Sequence, residues 1–227
     1  MKYTHLLFDA DNTLFDFDGS SVKAFAKFID YLQLDTGIDY YSIYQIGNHQ
    51  VWKEFEAGTM DAITLRWKRF ELFYNAIGFE GDPSEANRLY LDFLVEFASL
   101  IPGAKELLAE LSSKGYRLVI ITNGLKEVQK PRIEKIKLTH FFDSIIVSDE
   151  IGIAKPNPAF FKIAADSINH PAKEKVLVIG DSLSSDIKGG NNYGYDTCWY
   201  NPKGKENKTD AIPTYEISTL EDLMPLL

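Results

Sequence analysis

Short apolar runs alternate with helical patterns along the chain after Pro102. The runs cover residues 116–121, 145–147, 176–179 and 197–200, and a similar run covers residues 6–8 near the N-terminus. Continuous apolar runs of this length are typical of strands that are buried on both faces. Because strands that alternate with helices form parallel sheets with right-handed crossovers, we expect an α/β fold built on a parallel sheet.

Residues 17–97 interrupt this alternation with amphipathic helical patterns and no strong strand signal. We therefore expect a helical domain of residues 17–97, inserted into an α/β domain made of residues 1–16 and 98–227. Helix packing accounts for most of the aromatic residues in the insertion. Four polar or amphipathic side chains in it are candidates for substrate contact: His49, Trp52, Arg66 and Arg69.

Polar residues that can carry chemistry follow four of the predicted strands. They are Asp9 and Asp11 after the first, Thr122 and Asn123 after the second, Lys155 in the loop beyond the third, and Asp181 and Asp186 after the fourth. Each taken alone could be a turn residue, a helix cap or a solvated charge. Because the carboxyl ends of parallel strands line the usual ligand crevice, their shared position favours a single site.

These residue types suit the hydrolysis of a phosphate ester. Carboxylates and a phosphate dianion repel one another, so the site needs a hard divalent cation, and Mg²⁺ fits the oxygen donors. Lys155 adds a fixed positive charge, while the Thr122 hydroxyl and the backbone N–H groups through Gly124 can hold phosphoryl oxygens. Asp9 is the candidate nucleophile of an aspartyl-phosphate pathway, and Asp11 the candidate acid and base.

The same residues resemble the four motifs of the haloacid dehalogenase superfamily of phosphatases. The matching segments are Asp9-Ala-Asp11-Asn-Thr13, Thr122-Asn123-Gly124, Lys155-Pro156 and Gly180-Asp181-Ser182 through Asp186. The resemblance implies a Rossmann-like core with an inserted helical cap of the C1 type. It also implies that Asp9 is both nucleophile and metal ligand, that Asp11 lends its backbone carbonyl to Mg²⁺, that Asp181 is a ligand, and that Asp186 is a direct ligand or lies just beyond the ligands.

Cap and flanking segments are similar to those of bacterial pyrimidine 5′-nucleotidases. The segments are residues 51–58, residues 147–156 and the pair Cys198-Trp199. This resemblance implies hydrolysis of nucleoside 5′-monophosphates with pyrimidines preferred, and a cap that selects the leaving group. A sugar-phosphate or phosphoglycolate phosphatase stays open as an alternative, since such enzymes share all four motifs. The inserted helical segment and Asp11 argue against a phosphoacceptor signalling module, and Asp11 also argues against a metal-free dehalogenase.

Charge and cysteine content limit the partners and the compartment. The formal net charge of −9 argues against polymeric nucleic acid as a partner, because such proteins present a basic face. With one cysteine, Cys198, and no signal-like N-terminal segment, we expect a cytoplasmic protein. No apolar stretch is long enough for a bilayer, so we expect no membrane partner. A small phosphorylated substrate is the expected partner, and the sequence leaves the oligomeric state open.

Overall fold

The computed structural model describes residues 2–35 and 37–227 and divides into two compact units. One consists of Met1–Asp16 with Ser99–Leu227, and the other of Phe17–Ala98. We call the first the α/β unit and the second the helical unit.

Four helices make up the regular structure described in the helical unit: α1 (Phe17–Tyr31), α2 (Tyr40–Glu56), α3 (Ala62–Ile77) and α4 (Pro83–Glu96). An aspartate caps the N-terminus of each of the last three. The carboxylates of Asp39, Asp61 and Asp82 accept hydrogen bonds from backbone N–H groups in the first turns of these helices. Each such cap contributes about 1 kcal/mol, so the sequence fixes where these helices begin.

Aromatic rings fill the interior of the helical unit. Phe25 of α1 stacks on Tyr44 of α2, with ring centroids 4.7 Å apart, and meets Phe73 of α3 edge-on at 5.3 Å. Phe70 of α3 and Tyr90 of α4 form a further edge contact at 5.6 Å. Stacked and edge-on pairs add to the stabilisation that burial alone supplies. Most aromatic side chains of the helical unit therefore pack its four helices against one another.

Six strands form one parallel sheet in the described part of the α/β unit: β1 (His5–Phe8), β2 (Arg117–Thr122), β3 (Ser144–Val147), β4 (Val176–Gly180), β5 (Asp196–Tyr200) and β6 (Tyr215–Ile217). The strand order is β3-β2-β1-β4-β5-β6, with every neighbouring pair parallel. The predicted Rossmann-like parallel sheet with an inserted helical domain is therefore confirmed. Sequence reasoning did not predict β6, which is three residues long and has one buried residue, too few for an apolar run.

Helices and turns of the α/β unit connect these strands. The helices are α5 (Ala104–Ser113), α6 (Lys126–Lys135), α7 (Ser148–Ile151), α8 (Pro158–Ser167) and α9 (Lys188–Tyr193). Short 3₁₀ segments cover Thr139–Phe141, Lys173–Lys175 and Glu221–Leu226, and a π-helical turn covers Leu183–Ile187. The Asn157 side chain caps α8, accepting from the Ala159 N–H at 2.9 Å, with Pro158 at its first position.

The central strands are buried on both faces. Alternate side chains of β1, β2 and β4 enter two separate apolar clusters, one including Leu6, Phe8 and Leu108, the other Leu7 and Phe161. The strand order places β1 between β2 and β4, where successive connections change direction across the sheet. Ligands of open parallel sheets bind outside the carboxyl ends of strands at such a point. The residues that follow β1, β2 and β4 are therefore the candidates for a ligand site.

Candidate active site

Asp9 directly follows β1 and has a fixed backbone. Its N–H donates to the Ile179 carbonyl of β4 at 2.8 Å, which extends the strand ladder by one residue. The residue as a whole is 7% exposed. Thr122 closes β2 and Asp181 follows β4, so all three residues lie at the same edge of the sheet.

Lys155 is buried at this edge and joins two carboxylates. Its ammonium donates to Asp9 Oδ1 at 2.7 Å, to Asp186 Oδ1 at 2.6 Å and to the Ile121 carbonyl at 2.8 Å. Burial lowers the pKa of Lys155, but the charges of Asp186 and Asp9 outweigh that effect and raise the pKa above its usual value. Lys155 is therefore a permanent cation with a fixed position between two acids.

Asn123 holds the loop that carries Lys155. Its side-chain amide donates to the Lys155 carbonyl at 2.9 Å and accepts from the Lys155 N–H at 2.8 Å. The neighbouring Thr122 Oγ1 accepts from the Gly124 N–H at 3.0 Å, an arrangement that leaves the hydroxyl hydrogen of Thr122 as a donor. The segment from Thr122 to Gly124 thus both supports the cation and presents a hydroxyl at the strand end.

Three carboxylates form an acidic cluster around this lysine. One oxygen from each of Asp9, Asp181 and Asp186 lies within 4.8 Å of the others. Burial raises the pKa of Asp9 well above its usual value; Lys155 opposes that rise, and Asp186 and Asp181 add to it. Burial and repulsion from Asp186 raise the pKa of Asp181 to about 7.

The balance of charge and the donor type in this cluster fit a divalent cation. The buried Lys155 ammonium pairs with Asp9 and Asp186 and leaves net negative charge on the three clustered carboxylates, so a further positive charge would relieve their repulsion. All the donors are hard oxygens, which Mg²⁺ prefers. Asp186 has partners for both oxygens, since Oδ2 accepts from the Ser182 N–H at 3.1 Å. Asp9 and Asp181 are therefore the better placed of the three to offer an oxygen to an ion.

Asp11 lies beside two residues that sequence reasoning missed. Gln129 Nε2 donates to Asp11 Oδ2 at 2.9 Å, and Arg132 Nη1 lies 2.6 Å from Asp11 Oδ1. Both belong to α6 and are 2% exposed. The sequence did contain a signal for them. Gln129 and Arg132 lie at helical spacing on the same face of α6 as the apolar Val128 and Ile133. A polar side chain on a buried helix face needs a hydrogen-bond or ion-pair partner elsewhere in the fold.

The four candidate substrate residues of the insertion all lie on α2 or α3 of the helical unit. Arg69 is 3% exposed, and its guanidinium donates to Asn87 Oδ1 at 2.5 Å and to the Tyr44 hydroxyl at 3.3 Å. Arg66 donates to the Ala62 carbonyl of its own helix at 2.6 Å, Trp52 packs edge-on against Phe55, and His49 is exposed. Arg69 thus occupies the interior of this unit, and a role for the four in substrate choice stays a prediction.

Comparison with known proteins identifies the family. Residues 3–194 match the family model of the haloacid dehalogenase-like hydrolases. The chain is 35% identical to pyrimidine 5′-nucleotidase YjjG of Escherichia coli K12 over 227 residues, which is 100% of this chain and 99% of that protein. It is also 35% identical over 227 residues to pyrimidine 5′-nucleotidase PynA of Streptococcus pneumoniae R6, covering 100% of this chain and 96% of the relative.

A solved structure agrees with these sequence matches. The putative HAD-hydrolase YfnB from Bacillus subtilis, crystallised with magnesium, superposes with a TM-score of 0.91 at 36% identity, covering 100% of this chain and 99% of YfnB. This chain therefore belongs to the haloacid dehalogenase-like hydrolases and is an enzyme of that family. Its sequence is similar to pyrimidine 5′-nucleotidases along its whole length, as the cap and flanking segments indicate. None of the described helices has the length and apolar character to cross a membrane.

Proposed function

We propose that this protein is a Mg²⁺-dependent phosphomonoesterase that hydrolyses nucleoside 5′-monophosphates, with pyrimidines preferred. The hydrolytic chemistry rests on one observation: the buried ammonium of Lys155 joins Asp9 to Asp186 at the carboxyl edge of the sheet, with Asp181 in the same cluster. The choice of substrate rests on the full-length similarity to two pyrimidine 5′-nucleotidases.

Phosphate binding falls to the cation and the polar segment after β2. The Lys155 ammonium attracts the phosphoryl dianion and orients the Asp9 carboxylate toward it. The Thr122 hydroxyl donates to a phosphoryl oxygen, and backbone N–H groups of the Thr122–Gly124 segment supply further donors. Asn123 acts mainly through Lys155, whose backbone it holds. Asp186 accepts a second hydrogen bond from the Lys155 ammonium and keeps it in place.

The reaction proceeds in two displacements at phosphorus. An oxygen of the Asp9 carboxylate attacks the phosphorus atom, and the bond to the leaving oxygen breaks as Asp11 gives that oxygen a proton. Asp11, now a carboxylate, then takes a proton from water while the water oxygen attacks the phosphorus. The bond from phosphorus to Asp9 breaks, which releases phosphate and regenerates the Asp9 carboxylate.

Asp9, Asp181 and the backbone carbonyl of Asp11 would hold the Mg²⁺ ion, with Asp186 nearby. When bound, the ion neutralises the carboxylates and stabilises negative charge on the phosphoryl oxygens. The clustered carboxylates with raised pKa values at Asp9 and Asp181 support this assignment, because they are the groups that gain most from a second cation.

A single screen tests the proposal. Phosphate release is measured over pyrimidine and purine nucleoside monophosphates, hexose phosphates, phosphoglycolate and p-nitrophenyl phosphate, with Mg²⁺ and with a chelator. We expect the highest kcat/KM for UMP, dUMP or dTMP and no turnover with the chelator. If a hexose phosphate or phosphoglycolate exceeds every nucleotide, the nucleotidase assignment is wrong and the alternative phosphatase is right. If no ester is hydrolysed, the phosphatase assignment itself is wrong.

Substitutions in the insertion test its role in substrate choice. Trp52→Ala and His49→Ala should lower kcat/KM for nucleotides more than for p-nitrophenyl phosphate, because a base can stack on an aromatic ring and a small aryl ester needs no such contact. Ile46→Ala, at an exposed position on the same helix, is the matched control. Equal losses for both esters would remove Trp52 and His49 from substrate recognition.

A further inference from the structure

Both oxygens of the Asp11 carboxylate are held by side chains of α6. Gln129 Nε2 donates to Oδ2 at 2.9 Å, and Arg132 Nη1 lies 2.6 Å from Oδ1. The Asp11 side chain retains 26% exposure, whereas the Arg132 side chain is 3% exposed. A carboxylate that is still partly exposed is thus held by a hydrogen bond from Gln129 and an ion pair with Arg132, and both of these partners are buried.

The two donors also hold each other. Arg132 Nη2 donates to Gln129 Oε1 at 2.6 Å. The Gln129 amide therefore accepts from Arg132 through its oxygen and donates to Asp11 through its nitrogen. The Arg132 guanidinium lies over the Phe15 ring, 4.1 Å from its centroid, which fixes the plane of the guanidinium. Gln129, Arg132 and Asp11 therefore form a closed set of contacts with little rotamer freedom.

Gly124 leaves the space that this arrangement needs. A Cβ added at Gly124 would lie 1.8 Å from Gln129 Nε2 and 3.2 Å from Asp11 Oδ2. Real carbon atoms do not approach a nitrogen so closely, so any side chain at this position would displace Gln129 from Asp11. The glycine at position 124 thus leaves room for the Gln129 amide beside Asp11.

We propose that Gln129 and Arg132 are positioning residues that fix the Asp11 carboxylate for proton transfer to the leaving oxygen. The inference rests on the proposed function, in which Asp11 is the acid and base. It explains why α6 buries a guanidinium and an amide beside apolar residues. A misplaced acid slows only those reactions that need its proton, because general acid catalysis requires hydrogen-bond distance to the leaving atom.

The leaving group of the substrate provides a readout that a purely structural role would not change. An aliphatic alkoxide is strongly basic and must take a proton as it leaves, whereas p-nitrophenolate is stable without one. The parameter kcat/KM reports the steps up to release of the leaving group. Loss of the positioning contacts should therefore lower kcat/KM for an alkyl phosphate and spare kcat/KM for p-nitrophenyl phosphate.

The experiment compares Gln129→Met, Arg132→Met and Arg132→Lys with wild-type protein in the presence of Mg²⁺. Lys130→Met is the matched control, since it removes one positive charge from the exposed side of the same helix. The substrates are p-nitrophenyl phosphate and the alkyl phosphomonoester that wild-type protein hydrolyses fastest. Melting curves accompany the rates, and if Arg132→Met does not fold, Gln129→Met decides the question by the same ratio.

We expect Gln129→Met and Arg132→Met to lower kcat/KM for the alkyl ester about 100-fold, and that for p-nitrophenyl phosphate by less than about threefold. Arg132→Lys should fall between wild type and Arg132→Met, and Lys130→Met should match wild type. Equal changes for the two esters, or no change, would overturn the inference and leave the proposed function standing. Wild-type protein that hydrolyses neither ester would overturn both.

Discussion

Lys155 in the α/β unit and Arg69 in the helical unit are both buried cations, and they have different surroundings. Lys155 of the α/β unit contacts the carboxylates of Asp9 and Asp186. Arg69 of the helical unit contacts the neutral oxygens of Asn87 and Tyr44, and no carboxylate in the described part of the chain pairs with it. At the carboxyl ends of the strands, carboxylates lie close together around Lys155. In the helical unit, where aromatic rings pack the helices together, Arg69 lies among neutral groups. Burial alone therefore does not distinguish Lys155, for which we propose a role in catalysis, from Arg69, and the charge of their partners does.

The largest expected effect comes from removing the nucleophile beside Lys155. Asp9→Asn should lower turnover by roughly 10⁴-fold or more, because an amide cannot attack phosphorus as an anion. The fold should survive, since burial already disfavours the Asp9 charge. Steady-state rates and melting curves are measured beside Asp166→Asn, an exposed control on α8. Near wild-type turnover by folded Asp9→Asn protein would remove Asp9 from the chemistry.

Removing Lys155 and Arg69 in turn sharpens the comparison between the two units. Lys155→Met leaves two buried carboxylates without their counter-charge and should cost about 3–5 kcal/mol of stability. Lys155 opposes the rise in the pKa of Asp9, so its removal raises that pKa further and makes the ionised carboxylate more costly to bury as pH rises. The cost should therefore be larger at pH 8 than at pH 5. Urea unfolding at both pH values measures this, and an equal cost at the two would show that the carboxylates are not the cause.

Arg69→Met should have a smaller effect that does not depend on pH. The substitution leaves the buried Asn87 amide oxygen without its donor, at a cost of about 1–3 kcal/mol, whereas the Tyr44 hydroxyl keeps its hydrogen bond to Asn48 Oδ1 at 3.1 Å. Neither group titrates between pH 5 and pH 8, so the two unfolding curves should shift equally. Arg88→Met, an exposed position on α4, is the control. A loss of nucleotide turnover without a loss of stability would instead favour the predicted role of Arg69 in substrate choice.

The smallest expected effect concerns Asp181 in metal-free protein. Its pKa rises from 3.8 to about 7 on folding, so its ionisation opposes folding above that pH and ceases to do so near pH 4. Asp181→Asn should therefore stabilise chelator-treated protein by about 1–2 kcal/mol at pH 8 and by less at pH 5. Added Mg²⁺ should stabilise wild type more than the variant. Equal stabilisation of both by Mg²⁺ would mean that Asp181 is not a ligand.

Sequence reasoning recovered the parts of the α/β unit that local patterns encode. Five of the strands are apolar runs, and the polar residues that end them come together because parallel strands share an edge. Strand β6 was missed because Tyr215–Ile217 is too short to carry a pattern. Gln129 and Arg132 were missed because their partner, Asp11, is more than a hundred residues away in sequence, and only the fold brings α6 to it.

The helical unit was harder to interpret for the opposite reason. Its amphipathic pattern predicts helices, and those are present, but the same pattern does not reveal whether a polar residue faces inward or outward. Arg69 follows helical spacing with Leu65, Leu72 and Phe73, and the structure buries it with Leu65 and Phe73, while Leu72 is half-buried. The sequence carries no separate signal for a cation whose partners are a tyrosine hydroxyl and an asparagine amide on other helices.

The central claim is that the carboxylate held by Lys155 becomes phosphorylated during turnover. The direct measurement is an acid quench of the protein during steady-state hydrolysis of its best substrate, followed by proteolysis at low pH and mass spectrometry of the peptides. We expect an added phosphoryl group on the peptide that contains Asp9, in wild type and not in Asp9→Asn. Sustained turnover with no phosphorylated peptide, or with the phosphoryl group on a different residue, would contradict the account.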